Sequence, residues 1–215
     1  FRGPAELALF RGAWNDPQAL FVGLKAGSNA VNHSHLDLGS FVLDADGVRW
    51  AEDLGPDDYN LPAYFGAKRW TYYRLNNFSH NTLTPGDTLQ EPKAVAPITA
   101  FASTPERAFA LVDLTPAYPR SARTVRRGLA LLERARVLVQ DEVVGAKAGT
   151  VLHWRMTTPA KVVVVDQHHA VLTQSGKTLH ATILSPANAT FAAAPATPTS
   201  KAEKQNNGST VQIGR

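Results

Sequence analysis

The sequence lacks cysteine entirely, has one methionine among its 215 residues, and contains no long uninterrupted apolar run. Without cysteine there are neither disulfides nor thiolate ligands, so a metal site would have to use His, Asp or Glu side chains. The absence does not identify the compartment, because many bacterial envelope proteins also lack cysteine. Spanning a membrane takes an apolar run of about 18 residues, so we expect no membrane span.

A strong excess of charge of one sign is also missing. The chain has 22 Lys and Arg residues against 18 Asp and Glu, which gives a net charge of +4. This modest excess favours acidic partners and allows either an acidic polysaccharide or a nucleic acid. Because the basic residues are scattered and no nucleic-acid-binding motif is present, we expect no nucleic-acid partner. Hydrophobic residues make up 44% of the chain, enough to bury a core.

Both ends of the chain look interrupted. The sequence opens with FRGPAELALFRG, without an initiator methionine or a basic-then-apolar leader, and it ends in the strand-like STVQIGR. We therefore expect residues 1–215 to be one domain of a longer protein, truncated at both ends.

Apolar residues recur mainly with a period of two, which predicts strands. Turn sequences such as KAGS, AKAG and QSGK separate short β-branched or aromatic runs, among them ALFVGLKAG, VRWAEDLG, AFALVDLT, ARVLVQDEVVG and TVLHWRMTT. DADG predicts a hairpin turn with Gly47 at positive φ. PRSARTVRRGLALLERARVL could form a helix, but Pro119 and the alternation after Arg127 favour strands. The predicted fold is all-β, an antiparallel β-sandwich of many short strands.

Two segments do not match regular structure. The segment from Gly55 to Gln90 contains four of the five tyrosines. Long, aromatic-rich loops on a β scaffold are usually functional, so we expect this one to form part of a binding surface. A second segment, about residues 186–209, is rich in Ala, Pro, Ser and Thr, and we expect a mobile surface loop there.

The stretch NHSHLDLGSF, which begins at Asn32, has His33, His35 and Asp37 at two-residue intervals. If it enters a strand, the three side chains project from one face. Neutral imidazole is the commonest metal ligand, and this spacing directs both imidazoles into one volume. The alternative is that all three are solvent-facing polar residues. The apolar run that follows argues against it, because an unpaired histidine near the core would be destabilising.

Two further residues could complete a metal site. Asp53 lies one hairpin away, 18 residues after His35, and His80 is the only other histidine in the first half of the chain. His35, Asp53 and His80 therefore form a candidate site of two imidazoles and one carboxylate. The four remaining histidines match strand or turn patterns and are expected to be structural: His153, His168, His169 and His180.

The run NHSHLDLGSFVLDADGVRWAEDLG, followed by RWTYYRLNNFSHNTLTPGDTLQ, resembles the heparinase II/III-like domain of bacterial polysaccharide lyases. The shared pattern is H-x-H-x-D-x-G-S-F, then D-x-G after a tryptophan, then S-H-N-T-L, over about residues 29–90. Members of that family pair an N-terminal α/α toroid with a C-terminal antiparallel β-sandwich. The resemblance implies that this chain is the sandwich and that the toroid domain is absent from it.

The resemblance also implies roles for individual histidines. His35, Asp53 and His80 match the zinc ligands, and the zinc is expected to be structural, with one ion per chain. His33 matches the histidine that faces the substrate near the uronic-acid carboxylate, which makes it a predicted catalytic residue. Asp37 is predicted to accept a hydrogen bond from one of the imidazoles; alternatively it is a simple strand-end carboxylate.

A tyrosine of the long segment is expected to take part in catalysis. The resemblance leaves Tyr59, Tyr64, Tyr72 and Tyr73 as candidates, and Tyr72 is the predicted catalytic tyrosine. Tyr59 and Arg74 are predicted to bind substrate. The phenol would stack on a sugar ring and the guanidinium would pair with a carboxylate.

The implied reaction is β-elimination in a uronic-acid-containing acidic glycan such as alginate or a glycosaminoglycan. In the family the other catalytic residues come from the toroid, so the chain alone is expected to have little or no lyase activity. Two alternatives stay open: a non-catalytic carbohydrate-binding module and a metal-dependent glycan hydrolase. Family members act in the periplasm or outside the cell, which is the expected localisation.

Overall fold

The computed structural model describes residues 1–198 and 200–214. In these residues the regular structure is antiparallel β-strand, with 3₁₀ turns at Arg69–Thr71, Tyr73–Leu75 and Thr115–Ala117. No helix in the described part of the chain is long and apolar enough to cross a membrane. The strands, in chain order, are β1 (Ala5–Arg11), β2 (Phe21–Ser28), β3 (Phe41–Ala45), β4 (Val48–Ala51), β5 (Leu83–Pro85), β6 (Val95–Ala96), β7 (Ile98–Ser103), β8 (Arg107–Asp113), β9 (Thr124–Leu132), β10 (Arg136–Val144), β11 (Leu152–Thr158), β12 (Lys161–Val164), β13 (His169–Gln174), β14 (Lys177–Thr182), β15 (Thr190–Pro195) and β16 (Ser209–Gly214).

The strands form four sheets around one hydrophobic core. The first sheet has the order β1-β2-β3-β4, with β6 beside β2, and the second has the order β10-β9-β8-β7. The third is β15-β16-β11-β5 and the fourth β12-β13-β14. Each sheet contributes buried side chains to the core, for example Leu24, Leu129, Met156 and Leu172. The predicted antiparallel β-sandwich is confirmed.

Strand β9 shows why the one helix-like segment is extended. Val125, Arg127, Leu129 and Leu131 are at most 1% exposed, and the residues between them are more exposed. This alternation fits a strand with one face on the core, and a helix would not bury it. The buried guanidinium of Arg127 is paired with Asp141 of β10, with Nε and Nη2 each 2.7 Å from a carboxylate oxygen.

The predicted hairpin joins β3 to β4. Asp46 and Gly47 both have positive φ, 56° and 72°, as a two-residue turn of the primed type requires. Strand β4 ends at Ala51, so the hairpin places Asp53 immediately after the strand.

The stretch NHSHLDLGSF is not the predicted strand, because residues 29–40 form the loop between β2 and β3. The N–H of Gly39 donates to the carbonyl of Lys25, and the N–H of Lys25 donates to the carbonyl of Ser40, both at 2.8 Å. Gly39 has a φ of 78°, and a Cβ there would lie 2.8 Å from a methyl carbon of Leu114. The turn therefore requires glycine, and a loop rather than strand alternation orients the histidines.

The C-terminal segment differs from its prediction. The Ala/Pro-rich stretch expected as a mobile loop, about residues 186–209, contains β15, which pairs with β16. Residues 200–207 lie against the long aromatic segment. There the N–H of Tyr73 donates to Glu203 Oε2 at 2.6 Å, and the N–H of Lys204 donates to Asp57 Oδ1 at 3.1 Å. Polar groups of residues 200–207 thus hold the long aromatic segment in place.

Candidate metal centre and adjoining cleft

Three separate segments meet beside the end of the first sheet. His35 comes from the β2–β3 loop, Asp53 follows β4, and His80 lies in the long segment shortly before β5. One ligand atom from each residue lies within 4.8 Å of the others. The structure thus brings together the three residues that the sequence predicted as a metal site.

The contacts within the group leave a place for a cation. Asp53 Oδ1 accepts the N–H of Gly55 at 2.8 Å, and Asp53 Oδ2 lies 2.8 Å from His80 Nδ1. The ring of His80 is 1% exposed, and its other nitrogen, Nε2, is buried with no hydrogen-bond partner in the described residues. The rings of His35 and His80 are 5.3 Å apart between centroids. Because a buried polar atom without a partner is destabilising, Nε2 fits a metal ligand well.

The electrostatics of His35 and Asp53 favour the forms that bind metal, whereas those of His80 favour the proton with which a metal would compete. Burial and the nearby His80 lower the pKa of His35 to about 3, so its imidazole is neutral at pH 7. Burial opposes charge on Asp53, but the charge and hydrogen bond of His80 outweigh it and hold the pKa of Asp53 well below its usual range. Burial acts against a charged His80 too, yet the Asp53 carboxylate raises the pKa of that ring. A donor set of two imidazoles and one carboxylate suits zinc.

Asp37 does not support an imidazole as predicted. Its carboxylate oxygens lie 2.6 and 2.7 Å from Nζ of Lys25, a residue of β2. The Asp37 side chain is 8% exposed and that of Lys25 is 26% exposed. A buried carboxylate needs a partner of opposite charge, and Lys25 on the neighbouring strand β2 provides it. The ion pair fixes the loop that bears His35 to the sheet.

A cleft of about 560 Å³ opens from the metal group. One wall is apolar and comes from the outer face of the first sheet, through Leu7, Leu9 and Val42. Lys25 lies on the same face, because it pairs in register with Leu7. Further lining residues are polar or aromatic and include His33, His35, Asp53, Tyr59 and Arg69. A concave site that joins an apolar wall to convergent charged groups is the usual form of a ligand site.

His33 lies at the rim of this cleft, where it is exposed and has a φ of 58°. Its ring stacks on Tyr59, with 6.1 Å between centroids and 19° between planes, and it meets Phe65 edge-on at 5.6 Å. Tyr59 is 50% exposed and Phe65 is 58% exposed. The predicted catalytic histidine and the predicted sugar-stacking tyrosine are thus direct neighbours, with free surface toward the cleft.

Tyr72 and Arg74 lie elsewhere. The Tyr72 hydroxyl donates to the carbonyl of Pro62 at 2.6 Å, within an apolar cluster that includes Leu61. The Arg74 guanidinium is buried and donates to Asn207 Oδ1 at 2.8 Å and to the carbonyl of Leu54 at 2.9 Å. Neither residue lines the cleft. Their predicted roles in catalysis and substrate binding remain untested predictions that these positions do not favour.

Two further residues bear on the cleft: Lys25 lines it, and Phe65 contacts the lining residues His33 and Tyr59. Neither was predicted as a site residue. Arg69 also lines the cleft, and the sequence suggests it as a partner for a sugar carboxylate in the binding-module alternative. Arg69 Nη2 donates to the carbonyl of Ser34 at 2.5 Å, and its guanidinium lies 5.5 Å from the Phe65 ring centroid. Phe65 could have been suspected from the aromatic composition of the long segment. Lys25 offers no sequence signal, because a single lysine in a strand is common.

Solved structures share the fold of this chain. A crystal structure of heparinase III matches it with a TM-score of 0.74 and 16% identity, over 97% of this chain and 33% of the other. Heparan sulfate lyase HepC from Pedobacter heparinus matches with a TM-score of 0.74 and 20% identity, over 97% and 34%. The chain spans about a third of the length of these structures. At such identities the likeness establishes the fold alone.

A comparison with curated protein sequences gave no match. The family described as "Heparinase II/III-like, C-terminal" matches residues 17–211, which is most of the chain. This match agrees with the motifs between residues 29 and 90 and with the sandwich fold. The chain belongs to the heparinase II/III-like C-terminal family.

Proposed function

We propose that this chain is the zinc-binding sandwich of a polysaccharide lyase that cleaves uronic-acid-containing glycans by β-elimination. The observation that supports this most is the cleft itself. It joins a three-residue group able to hold a metal to an exposed imidazole, His33, in a chain of the heparinase II/III-like family. The structural relatives are named as heparinase III and heparan sulfate lyase, whose names refer to acidic polysaccharides.

The reaction sets three requirements that the chain meets in part. The C6 carboxylate of the uronic acid must be neutralised, a base must take the C5 proton, and an acid must protonate the O4 leaving group. His33 suits the first requirement, because it is exposed at the rim and donates hydrogen bonds from either ring nitrogen. Tyr59 stacks on His33 and offers a ring face to the sugar.

The metal in this proposal is structural zinc, held by His35, Asp53 and His80. When bound, it would cross-link three segments that are distant in sequence and would stabilise the folded state by linkage. Hydrogen bonds within this chain hold the segments that carry the three ligands close to one another. In a metal-dependent hydrolase, by contrast, an open coordination position would do the chemistry. The products separate the two, since only a lyase leaves a C4–C5 double bond.

The remaining catalytic groups would come from outside this chain. Two tyrosines, Tyr59 and Tyr64, line the cleft. Burial raises the pKa of Tyr64, which disfavours this residue as a base. We therefore propose an α/α toroid domain as the partner that completes the site, and we expect the chain alone to have little or no lyase activity. We further propose that the protein acts in the periplasm or outside the cell, on alginate, a glycosaminoglycan or another acidic glycan.

A second candidate function is a non-catalytic carbohydrate-binding module. The exposure of Tyr59 and Phe65 favours it, because two half-exposed rings beside the Arg69 guanidinium form a surface suited to an acidic sugar. In that case the cleft would bind glycan without turnover.

The test uses the complete protein that contains this chain, with His33→Ala as the variant. The assay is near-UV absorbance of unsaturated product from heparan sulfate and from alginate. A lyase gives absorbing product from at least one polymer, and His33→Ala abolishes turnover while keeping zinc. If His33→Ala changes only the affinity for the polymer, or if no polymer yields unsaturated product, the binding-module function replaces the lyase.

A further inference from the structure

Asn81, the residue after His80, makes hydrogen bonds to the segments of the other two candidate ligands, His35 and Asp53. Its side-chain Nδ2 donates to the carbonyl of Phe41 at 2.7 Å and to the carbonyl of Glu52 at 3.0 Å. Its Oδ1 accepts the N–H of Thr157 on β11 at 2.6 Å. Asn81 is completely buried. All the hydrogen-bonding groups of this side chain are therefore used.

Two of these contacts, the carbonyls of Phe41 and Glu52, belong to segments that carry a ligand. Phe41 is the first residue of β3 and closes the loop that bears His35, and Glu52 immediately precedes Asp53. Asn81 itself follows His80. One short side chain thus links the backbones that present the two imidazoles and the carboxylate.

The main chain of Asn81 is fixed as firmly as its side chain. Its N–H donates to Oγ of Ser40 at 3.1 Å, and its carbonyl accepts from Nη1 of Arg127 at 2.8 Å. The same Nη1 donates to the carbonyl of Gly39 at 2.9 Å. Arg127 is held in turn by its two hydrogen bonds to Asp141. The second sheet therefore supports the loop of His35 and the segment of His80 through one buried guanidinium.

We propose that Asn81 is a positioning residue that preorganises the metal centre, with Arg127 as its support. The inference depends on the zinc site of the proposed function. The three ligands come from loops whose backbones would otherwise move independently, and a site that must be ordered on binding has lower affinity. Asparagine is suited to this position because it offers two donors and an acceptor on a one-carbon stem. Aspartate lacks the donors, and glutamine is one carbon too long.

Asn77 provides a matched control four residues earlier in the same segment. It is also completely buried. Its Nδ2 donates to Oγ1 of Thr84 and to the carbonyl of Thr88, both at 3.1 Å, and its Oδ1 accepts the N–H of Gln90 at 2.9 Å. These partners are not in the segments of His35 or Asp53. Asn77→Ala therefore removes the same chemical groups from the interior without removing a direct hydrogen bond to the backbones that carry His35 or Asp53.

The experiment compares Asn81→Ala and Asn77→Ala in this chain. Zinc affinity is measured by competition with a chelator, the ligand geometry by the absorption spectrum of the cobalt-substituted protein, and the melting temperature in excess chelator. We expect comparable losses of melting temperature in both variants. Asn81→Ala should weaken zinc binding about tenfold to a hundredfold and alter the cobalt spectrum, whereas Asn77→Ala should keep both near wild type.

A third variant covers the case in which Asn81→Ala does not fold. Asn81→Ser keeps a small polar side chain but cannot reach both the carbonyl of Phe41 and that of Glu52, and it should show the same loss of zinc affinity. Wild-type affinity and cobalt spectrum in the Asn81 variants, or an equal loss in Asn77→Ala, would overturn the positioning role alone. A wild-type chain that binds no zinc would overturn the metal site and the inference together, so the two failures are distinguishable.

Discussion

The two ends of the cleft are held in opposite ways. At the metal end, His80 and Asn81 are buried and each is fixed by hydrogen bonds to other segments. At the rim, His33, Tyr59 and Phe65 are exposed and contact one another mainly through their rings. Directional hydrogen bonds in a dry interior fix a position, whereas ring contacts at a surface allow adjustment.

This difference separates stability from recognition within one site. Changes at the metal end should unfold or loosen the domain, because His80 and Asn81 are buried and hydrogen-bonded to other segments. Changes at the rim should leave the fold intact and alter only the response to ligand.

Loss of a metal ligand should have the largest effect. His35→Ala, Asp53→Ala and His80→Ala should each abolish stoichiometric zinc and lower the free energy of unfolding by about 3 kcal/mol or more, since bound ion stabilises the folded state. Elemental analysis and urea unfolding, with and without chelator, measure both. His169→Ala is the control, because among the described residues its ring pairs with Asp166 alone, at the exposed start of β13. Full zinc content in any ligand variant would remove that residue from the site.

The buried support of the metal end should be next in size. Asp141→Ala leaves the fully buried Arg127 guanidinium without its carboxylate, and breaking a buried pair in this way costs about 3 kcal/mol. Glu142→Ala is a matched control on the same strand. Its ion pair with Arg126, at 3.7 Å, is exposed, so the expected change is within about 0.5 kcal/mol. Equal losses measured by urea unfolding would contradict the distinction between buried and exposed pairs.

The sequence predicts one end of the cleft better than the other for a physical reason. Histidine is an uncommon residue type, and the β3–β4 hairpin that returns the chain to Asp53 is marked by local strand alternation and the DADG turn. The three candidates could therefore be grouped, although a loop and not a strand orients His35. The fold follows from the same alternation. Strand β15 was missed because TFAAAP has little of the β-branched composition that marks strands.

The irregular segment offers no such period. Whether Tyr72 or Tyr59 faces the cleft depends on how residues 55–75 are held, and part of that hold comes from Glu203, 130 residues after Tyr73. The burial of Arg74 likewise depends on Asn207. Contacts between segments so distant in sequence leave no local pattern, so the choice among the tyrosines could not be made from the sequence.

Acid should destabilise the metal end. In the metal-free chain the pKa of His35 falls from its ordinary 6.5 to about 3, so between these values the unfolded state binds the proton more tightly. The contribution of neutral, buried His35 to the free energy of unfolding is therefore fully present above pH 6.5 and is lost as the pH falls toward 3. Relative to His35→Gln, wild type should lose at most about 1.4 kcal/mol per pH unit in this window. Urea unfolding of both proteins in chelator at pH 7.5, 6 and 5 measures this loss. A difference in free energy of unfolding that stays constant across these pH values would contradict the assigned pKa.

The smallest effect is expected at the rim, where Phe65 meets His33, Tyr59 and Arg69. Phe65→Ala should leave the zinc content unchanged, and the free energy of unfolding should stay within about 0.5 kcal/mol of wild type, because the ring is exposed. It should weaken binding of an acidic oligosaccharide by about 1 kcal/mol, the usual size of an aromatic contact, and Phe65→Trp should restore it. Calorimetric titration of the complete protein measures this. Unchanged affinity in Phe65→Ala would mean that the sugar does not reach this side of the rim, and the recognition surface would then be limited to His33, Tyr59 and the wall of the cleft nearest the metal.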